Sequence, residues 1–533
     1  MRYLALLAAA QAAYAALTHR QTNSVVVGTT SGLLHGTETN GREVPTYAVL
    51  PELIPLAVSI FKGVRFGQAP TGSMRWEPPV AFTSTASQDA SVLGPACVQQ
   101  FPFVGAAINE KIFNTPPAPE DEDCLFLNVW APSNARALPV VIWIYGGALT
   151  FGTAWTPEYD GASLAANQNI IVVSFNYRTN VFGFPESPDL PLTGNNLGFL
   201  DQELAFQWVQ SNIANFGGDP TKVTIMGQSA GARSVAAAYV RHASGTAPFS
   251  SAIMLSGAVE SVLPTTSFPS FNAMAAAVGC DQSPGAARLA CLKQVPASTI
   301  RNFTNGPFSL TWTSLVDNVT VFSDPLLRIR NGQTANVPFI IGNTQNDGSL
   351  FALNQNNLTT YLNKTFGDLL TAAEVRAFYP SDLSDNEVIS ELVKDFTFHC
   401  PAELFGAPLR LGWEPQMCIV IRAVFADLQL FPNAGAWHSS ELFEIFGTYP
   451  SDATPSEKAL SLTMQAIVAN FARNPTVAPA PNWPKYLPGN TTSTLAQLAY
   501  DGNVDLTNVV QTIVSDSLDS PCALWNLFLD VRV

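Results

Sequence analysis

Charge is what this chain has least of. Only 13% of its 533 residues are Asp, Glu, Lys or Arg, and cations are the scarcer half: 26 Lys and Arg against 41 Asp and Glu, a formal net charge of −15. Nucleic-acid binding needs clustered Lys and Arg to displace counterions from phosphates. No basic stripe is present, so nucleic acid is excluded as a partner. Zinc-site spacings are missing as well, with no CxxC and no HExxH anywhere, and neither a metal nor another cofactor is expected. Beyond the N-terminus no apolar run is long enough to span a bilayer, which excludes a stable membrane span. Internal repeats and low-complexity linkers are absent too. The length alone admits several domains, but large α/β enzymes exceed that prior with one core and many insertions. One domain over residues 16–533 is the reading.

The stretch before residue 16 is different in kind. MRYLALLAAAQAAYA has one cation, Arg2, then a short apolar stretch, then Ala13-Tyr14-Ala15, the small-x-small pattern of signal cleavage. Residues 1–15 are therefore expected to be a signal peptide and the protein to be secreted and extracellular. Seven cysteines, at 97, 124, 280, 291, 400, 418 and 522, agree with an oxidising compartment, although spacing alone leaves their pairing open. Asn302, Asn318, Asn357, Asn363 and Asn490 each open an N-x-S/T sequon and are glycosylation candidates.

Along the chain, strand-like runs alternate with helix-like ones. The strand-like runs are VVIWIY (140–145), IIVVSFNY (170–177), VTIM (223–226), AIMLSG (252–257), VPFIIG (337–342) and CIVIRAVF (418–425). Between them, LDQELAFQWVQSNI (200–213) sets Leu204, Phe206, Trp208 and Val209 for a helix packed on a sheet. Alternation of this kind predicts an α/β fold with a large, mostly parallel central sheet and helices on both faces. The Pro-rich stretches 114–119 and 475–484 are expected as surface loops.

MGQSAGARSV (226–235) stands where a strand meets an Ala-rich helix. A turn that sharp crowds the chain, so the positions two before and two after Ser229 must be small, as Gly227 and Gly231 are. The hydroxyl is pushed into the open and the N–H of Ala230 faces a developing oxyanion. GxSxG alone is also compatible with an ordinary tight turn; partners decide. A Ser hydroxyl needs a base, commonly a His held by a carboxylate. Of the five histidines, His19 and His35 precede the sheet and His242 comes after Ser229 on the same helical segment, so these read as surface or satisfied core residues. Besides these there is His399. His438, in AGAWHSSELFEIFG, lies in a loop after the last strong strand, where the chain order Ser, acid, His puts the base. Asp347, in VPFIIGNTQNDGSLF, stands a few residues past a strand end and beside Gly348, which is expected to let the loop turn back. Glu441 and Glu444 compete for the acid's role by their closeness to His438. Gly146 and Gly147, in WIYGGALTFG, open the backbone past a buried strand, so the N–H groups of Gly147, Ala148 and Ala230 would form a three-donor oxyanion hole.

With these residues in hand the chain resembles the type B carboxylesterase and cholinesterase family of α/β-hydrolases. The resemblance runs from FKGVRFGQAPTGSMRW (61–76) through EDCLFLNVW (122–130), NFGGDPTKVTIMGQSAG (215–231) and GAWHSSELFEIFG (435–447) to CALWNLFL (522–529). It implies Ser229 as nucleophile, His438 as base, Asp347 as acid, and Gly147, Ala148 and Ala230 as oxyanion donors. It also implies the bridges Cys97–Cys124, Cys280–Cys291 and Cys400–Cys522, with Cys418 left as a buried thiol. Three features depart from the family pattern. The acid is Asp where Glu is usual, Ala148 stands where a third Gly is common, and the loop between Cys97 and Cys124 has no Trp to hold a quaternary ammonium. Choline esters are therefore disfavoured. The leading expectation is a secreted serine carboxylic-ester hydrolase acting on a small-molecule or lipid ester. A lipase or sterol esterase is the alternative, since Phe101, Phe103, Val104 and Phe113 could form an apolar lid. A non-catalytic binding member of the fold is the remote alternative. Pocket walls are expected from insertions such as GPFSLTWTSLV (306–316).

Overall fold

A computed structural model describes residues 23–39, 56–101, 106–259, 267–307, 310–406, 416–486 and 493–529. The expected signal peptide, His19, Phe103, Val104, Asn490 and the Cys418 side chain lie outside what is described.

Thirteen strands make one mixed sheet: β1 (Asn23–Thr29), β2 (Gly32–Thr39), β3 (Val58–Arg65), β4 (Ser87–Asp89), β5 (Phe126–Pro132), β6 (Leu138–Ile144), β7 (Ile171–Phe175), β8 (Gly218–Gln228), β9 (Ser251–Leu255), β10 (Phe339–Thr344), β11 (Gln416–Ile421), β12 (Ser493–Leu498) and β13 (Val510–Val514). The spatial order is β1-β2-β3-β5-β7-β6-β8-β9-β10-β11-β12-β13, with β4 beside β2. From β7 to β12 every neighbouring pair is parallel. The flanks are antiparallel, β1 to β3 with β5 and β7 on one side and β13 on the other.

The parallel centre is dictated by sequence. Val140 to Ile144 in β6 and Ile171 to Val173 in β7 are fully buried, as strands covered on both faces must be. Each such side chain contributes roughly 1.5–3 kcal/mol by leaving water. The helix Leu197–Asn212 covers one face through Phe206, Trp208 and Val209, all buried. The antiparallel flank β1–β5 has no counterpart among the sequence-derived runs. β1, β2 and β4 alternate more and less buried positions (β2 reads buried, exposed, buried), leaving no long apolar run to notice, whereas β5 is buried from Leu127 to Pro132 but is short and interrupted by Asn128.

All three implied bridges are present: Cys97–Cys124, Cys280–Cys291 and Cys400–Cys522. The last joins the C-terminal helix Cys522–Leu529 to a long helical segment. That segment runs from Asp385 to Gly406 and passes through one π-helical turn at Asp395–His399. The extra residue of a π turn rotates the remainder of the helix about its axis, and such turns are frequent at functional sites.

Candidate active site

Ser229 sits where β8 ends and the helix Ala230–Arg241 begins, with φ 57° and ψ −126°. A non-glycine residue held there is strained by about 1–3 kcal/mol, and the surroundings fix it. Its N–H donates to Leu255 O at 2.8 Å. A Cβ on Gly227 would lie 2.4 Å from the Gly231 carbonyl, and one on Gly231 would lie 2.0 Å from Ile144 O. The two glycines are needed because the elbow folds onto itself and onto the end of β6.

The segment after β6 is strained in the same sense. Gly147, Ala148 and Leu149 have φ of 105°, 54° and 61°. Thr150 and Phe151 donate backbone N–H to Gly147 O, Asn180 N–H donates to Leu149 O, and Gly152 N–H donates to Gln99 Oε1 at 2.8 Å. Stacked Tyr145 and Tyr177, ring centres 4.4 Å apart, exchange hydrogen bonds with each other's backbone. Gly146 is bare because a Cβ would come within 2.8 Å of Ser229 Cβ.

His438 and Asp347 come from two loops strapped together. Asn346 N–H donates to Ala436 O at 3.0 Å, Ala436 N–H to Asn346 Oδ1 at 3.1 Å, and Ser349 Oγ to Ala434 O at 2.8 Å. His438 Nδ1 lies 2.8 Å from Asp347 Oδ1, and Asp347 Oδ2 accepts from Ser256 Oγ at 2.8 Å and Thr344 N–H at 3.0 Å. Asp347 is fully buried. A carboxylate so held accepts the Nδ1 proton and leaves the Nε2 lone pair free. The imidazole lies against Phe398, centroids 4.7 Å apart and nearly parallel, and meets Phe351 at 5.1 Å edge-on. Phe398 belongs to the π-helical turn.

Glu441 and Glu444, the rival carboxylates, do not reach the imidazole. Both oxygens of Glu441 and Oε1 of Glu444 are buried without a hydrogen-bond partner. Burial, reinforced by the charge of Asp347, pushes the Glu441 carboxyl up to about 8, and burial pushes Glu444 up as well. Gly348 matters for another reason than expected. It does not adopt a left-handed turn; a Cβ there would lie 1.8 Å from Ser390 O, so its smallness admits the helix Asp385–Lys394.

Ser229, His438, Gly147 and Ala148 line one cavity of about 680 Å³. Its walls come from the helix Ala106–Phe113 and residues 350–355, held to the His438 loop by a cluster of Ile112, Leu350, Phe431 and Trp437. No Asp, Glu, Lys or Arg is among its described lining residues. The expectation that 306–316 supplies a wall is corrected: none of its described residues lines this cavity, and Trp312 is buried in the cluster around Cys280. Phe101 packs inward on Phe151 at 4.9 Å, whereas Phe113 faces the cavity. His242 pairs with Glu203 and His35 lies in β2, away from the site. Three side chains that sequence reading passed over touch the imidazole: Phe351; Phe398, next to His399; and Gln228, next to Ser229 itself, whose Nε2 is 3.2 Å from His438 Nε2.

A parallel-centred sheet with a strand-to-helix elbow at its carboxyl edge defines an α/β-hydrolase. The sequence matches the carboxylesterase family over residues 24–512, and the chain belongs to that family; it is a carboxylic-ester hydrolase. It is 32% identical to secreted lipase 1 of Botryotinia fuckeliana (strain B05.10), over 81% of this chain and 84% of that one. With the para-nitrobenzyl esterase of Bacillus subtilis (strain 168) identity is 30%, over 86% and 92%. Among solved structures, a thermophilic PNB esterase superposes with a TM-score of 0.74 at 27% identity, over 93% of this chain and 99% of that one.

Proposed function

We propose that the chain is a secreted serine esterase in which Ser229 attacks the ester carbonyl, His438 takes its proton and Asp347 orients the imidazole. The observation that carries this reading is the 2.8 Å contact of His438 Nδ1 with Asp347, with His438 and Ser229 on the wall of one cavity. His438 then protonates the leaving alcohol, and a water it activates releases the acid from the acyl-enzyme. The N–H groups of Gly147, Ala148 and Ala230 hold the oxyanion, each worth about 3 kcal/mol of barrier. The left-handed backbone at Gly147 and Ala148 supports this, since it aims those groups away from the strand ladder. Ser229→Ala is expected to cut ester turnover by about three orders of magnitude or more with an unchanged melting curve. Comparable turnover in that variant would sink the mechanism.

An uncharged, largely apolar cavity favours neutral esters over choline esters. The second reading, a lipase, draws on the same apolar wall, Ile108, Phe113, Leu350, Phe351 and Leu353, and on the likeness to a fungal protein called a secreted lipase. Rates on p-nitrophenyl esters of rising acyl length, with an emulsified triglyceride alongside, separate the two: a jump at the emulsion interface marks a lipase. Secretion is supported by the three disulfides, one domain over 16–533 by the continuous sheet, and glycan attachment by the exposure of Asn302, Asn318, Asn357 and Asn363.

A further inference from the structure

We propose that Gln228 is a positioning residue that holds the free nitrogen of His438 in its proton-accepting form; this rests on the reading of His438 as the base. Gln228 ends β8, directly before Ser229, and is 2% exposed. Its side chain is wedged between two working parts. Nε2 stands 3.2 Å from His438 Nε2, and Oε1 lies over Gly146, where an added Cβ would come within 3.1 Å of it. Because His438 Nδ1–H donates a hydrogen bond to Asp347, the neutral ring presents a lone pair at Nε2, and the group facing a lone pair must donate. A primary amide does so without charge.

The consequence is electrostatic. A donor on the lone pair favours the neutral ring and opposes its protonation, so the resting base stays competent at lower pH than without it. On the ring, Asp347 approaches from the β10 loop; Glu441, on the segment that carries His438 itself, lies near Asp347 without reaching the imidazole. The helical segment bearing Phe398 turns its titratable groups elsewhere, Asp395 to Tyr379 and His399 to Asn343 and Asp519. Tyr159 and Ser439 share the cavity wall as neutral groups. Gln228 is thus the neutral donor set against Asp347, the carboxylate that favours a charged ring. When His438 takes the proton of Ser229, the amide has to turn Oε1 toward it or release it, so the contact belongs to the resting state.

The test is the acid limb of kcat/KM against pH on a neutral p-nitrophenyl ester, for wild type, Q228M and Q228E, with His438→Ala alongside. Q228M removes the donor, and its acid limb is expected about half to one pH unit above wild type, the span of one hydrogen bond. Q228E replaces the donor by an anion and is expected higher still. Acid limbs that coincide in all three, or that move to lower pH in Q228M, overturn the proposal while loss of turnover in His438→Ala leaves the base in place. Turnover retained in His438→Ala overturns both. Where a melt shows Q228E unfolded, Q228M alone decides, since a merely structural role would lower turnover at every pH without moving the limb.

Discussion

Two buried histidines in this molecule are paired with aspartates at the same distance. His438 Nδ1 lies 2.8 Å from Asp347, and His399 Nε2 lies 2.8 Å from Asp519. Both rings are 3% exposed. The difference is on the other nitrogen. His399 Nδ1 faces Asn343 Oδ1 at 3.1 Å, and the Asn343 amide nitrogen is engaged with Thr344 O, so both nitrogens of His399 are occupied by fixed side-chain partners. It is a strut between β10 and the C-terminal region. His438 turns its other nitrogen to the Gln228 amide, on the wall of a cavity that also holds Ser229. A His–Asp pair is therefore no evidence of a base until the second nitrogen is accounted for.

The surroundings diverge in the same way. Near His399 the acids have partners: Asp395 takes the Tyr379 hydroxyl at 3.0 Å and Lys394 at 3.3 Å, and Asp519 has Tyr486 at 3.4 Å. Near His438 the Glu441 carboxyl has no side-chain partner among the described residues.

The sharpest way to break the comparison is to remove the charge of each aspartate in turn. Asp347→Asn keeps the shape but favours the wrong tautomer, and turnover is expected to fall by about 10⁴, the cost of the same change in serine proteases. Asp519→Asn should leave turnover within a few-fold while lowering the melting temperature. Steady-state kinetics and melts on both variants check this; a large kinetic loss in Asp519→Asn would erase the distinction.

Glu441 gives a smaller effect of predictable sign. Its folded pKa, about 8, lies above the unfolded value, so the stability linked to its proton is present at pH 4 and is lost as pH rises through 8. Glu441→Gln is expected to gain roughly 1–3 kcal/mol relative to wild type at pH 8.5 and little at pH 4. Urea unfolding at the two pH values measures it. A gain equal at both would remove Glu441 as the titrating group.

The smallest effect is expected at Phe398, whose ring steadies the imidazole. An aromatic contact contributes about 0.5–1.5 kcal/mol, so Phe398→Leu should lower kcat by roughly two- to tenfold with KM little changed. A change confined to KM would mean that the ring touches substrate instead.

The site was legible in sequence to the extent that its parts carry backbone demands. Gly227, Gly231, Gly146 and Gly147 each mark a place where a Cβ has no room, and such places show in a sequence as glycines. Chain order and strand ends singled out His438 and Asp347. The walls were not legible, because residues 350–355 and the helix Ala106–Phe113 meet only through tertiary packing around Trp437. Phe398 depended on a π-helical turn, which no periodicity announces. Gln228 was in plain view, and its neutrality hid it, since a search for acids and bases passes over amides. In the fold, the parallel centre showed as apolar runs, while β1, β2 and β4 alternate too briefly to stand out and β5 is a short buried run interrupted by Asn128.

The cavity wall without a fixed charge has a consequence for the way out as well as the way in. Hydrolysis turns a neutral guest into an anion and an alcohol, and beyond the oxyanion-binding N–H groups and His438 the described Phe, Leu and amide walls offer that anion no Lys or Arg. The molecule around it is itself strongly negative, at −15. The chemistry therefore changes the guest into something most of the chamber was not built to hold, and the product acid is expected to inhibit only weakly.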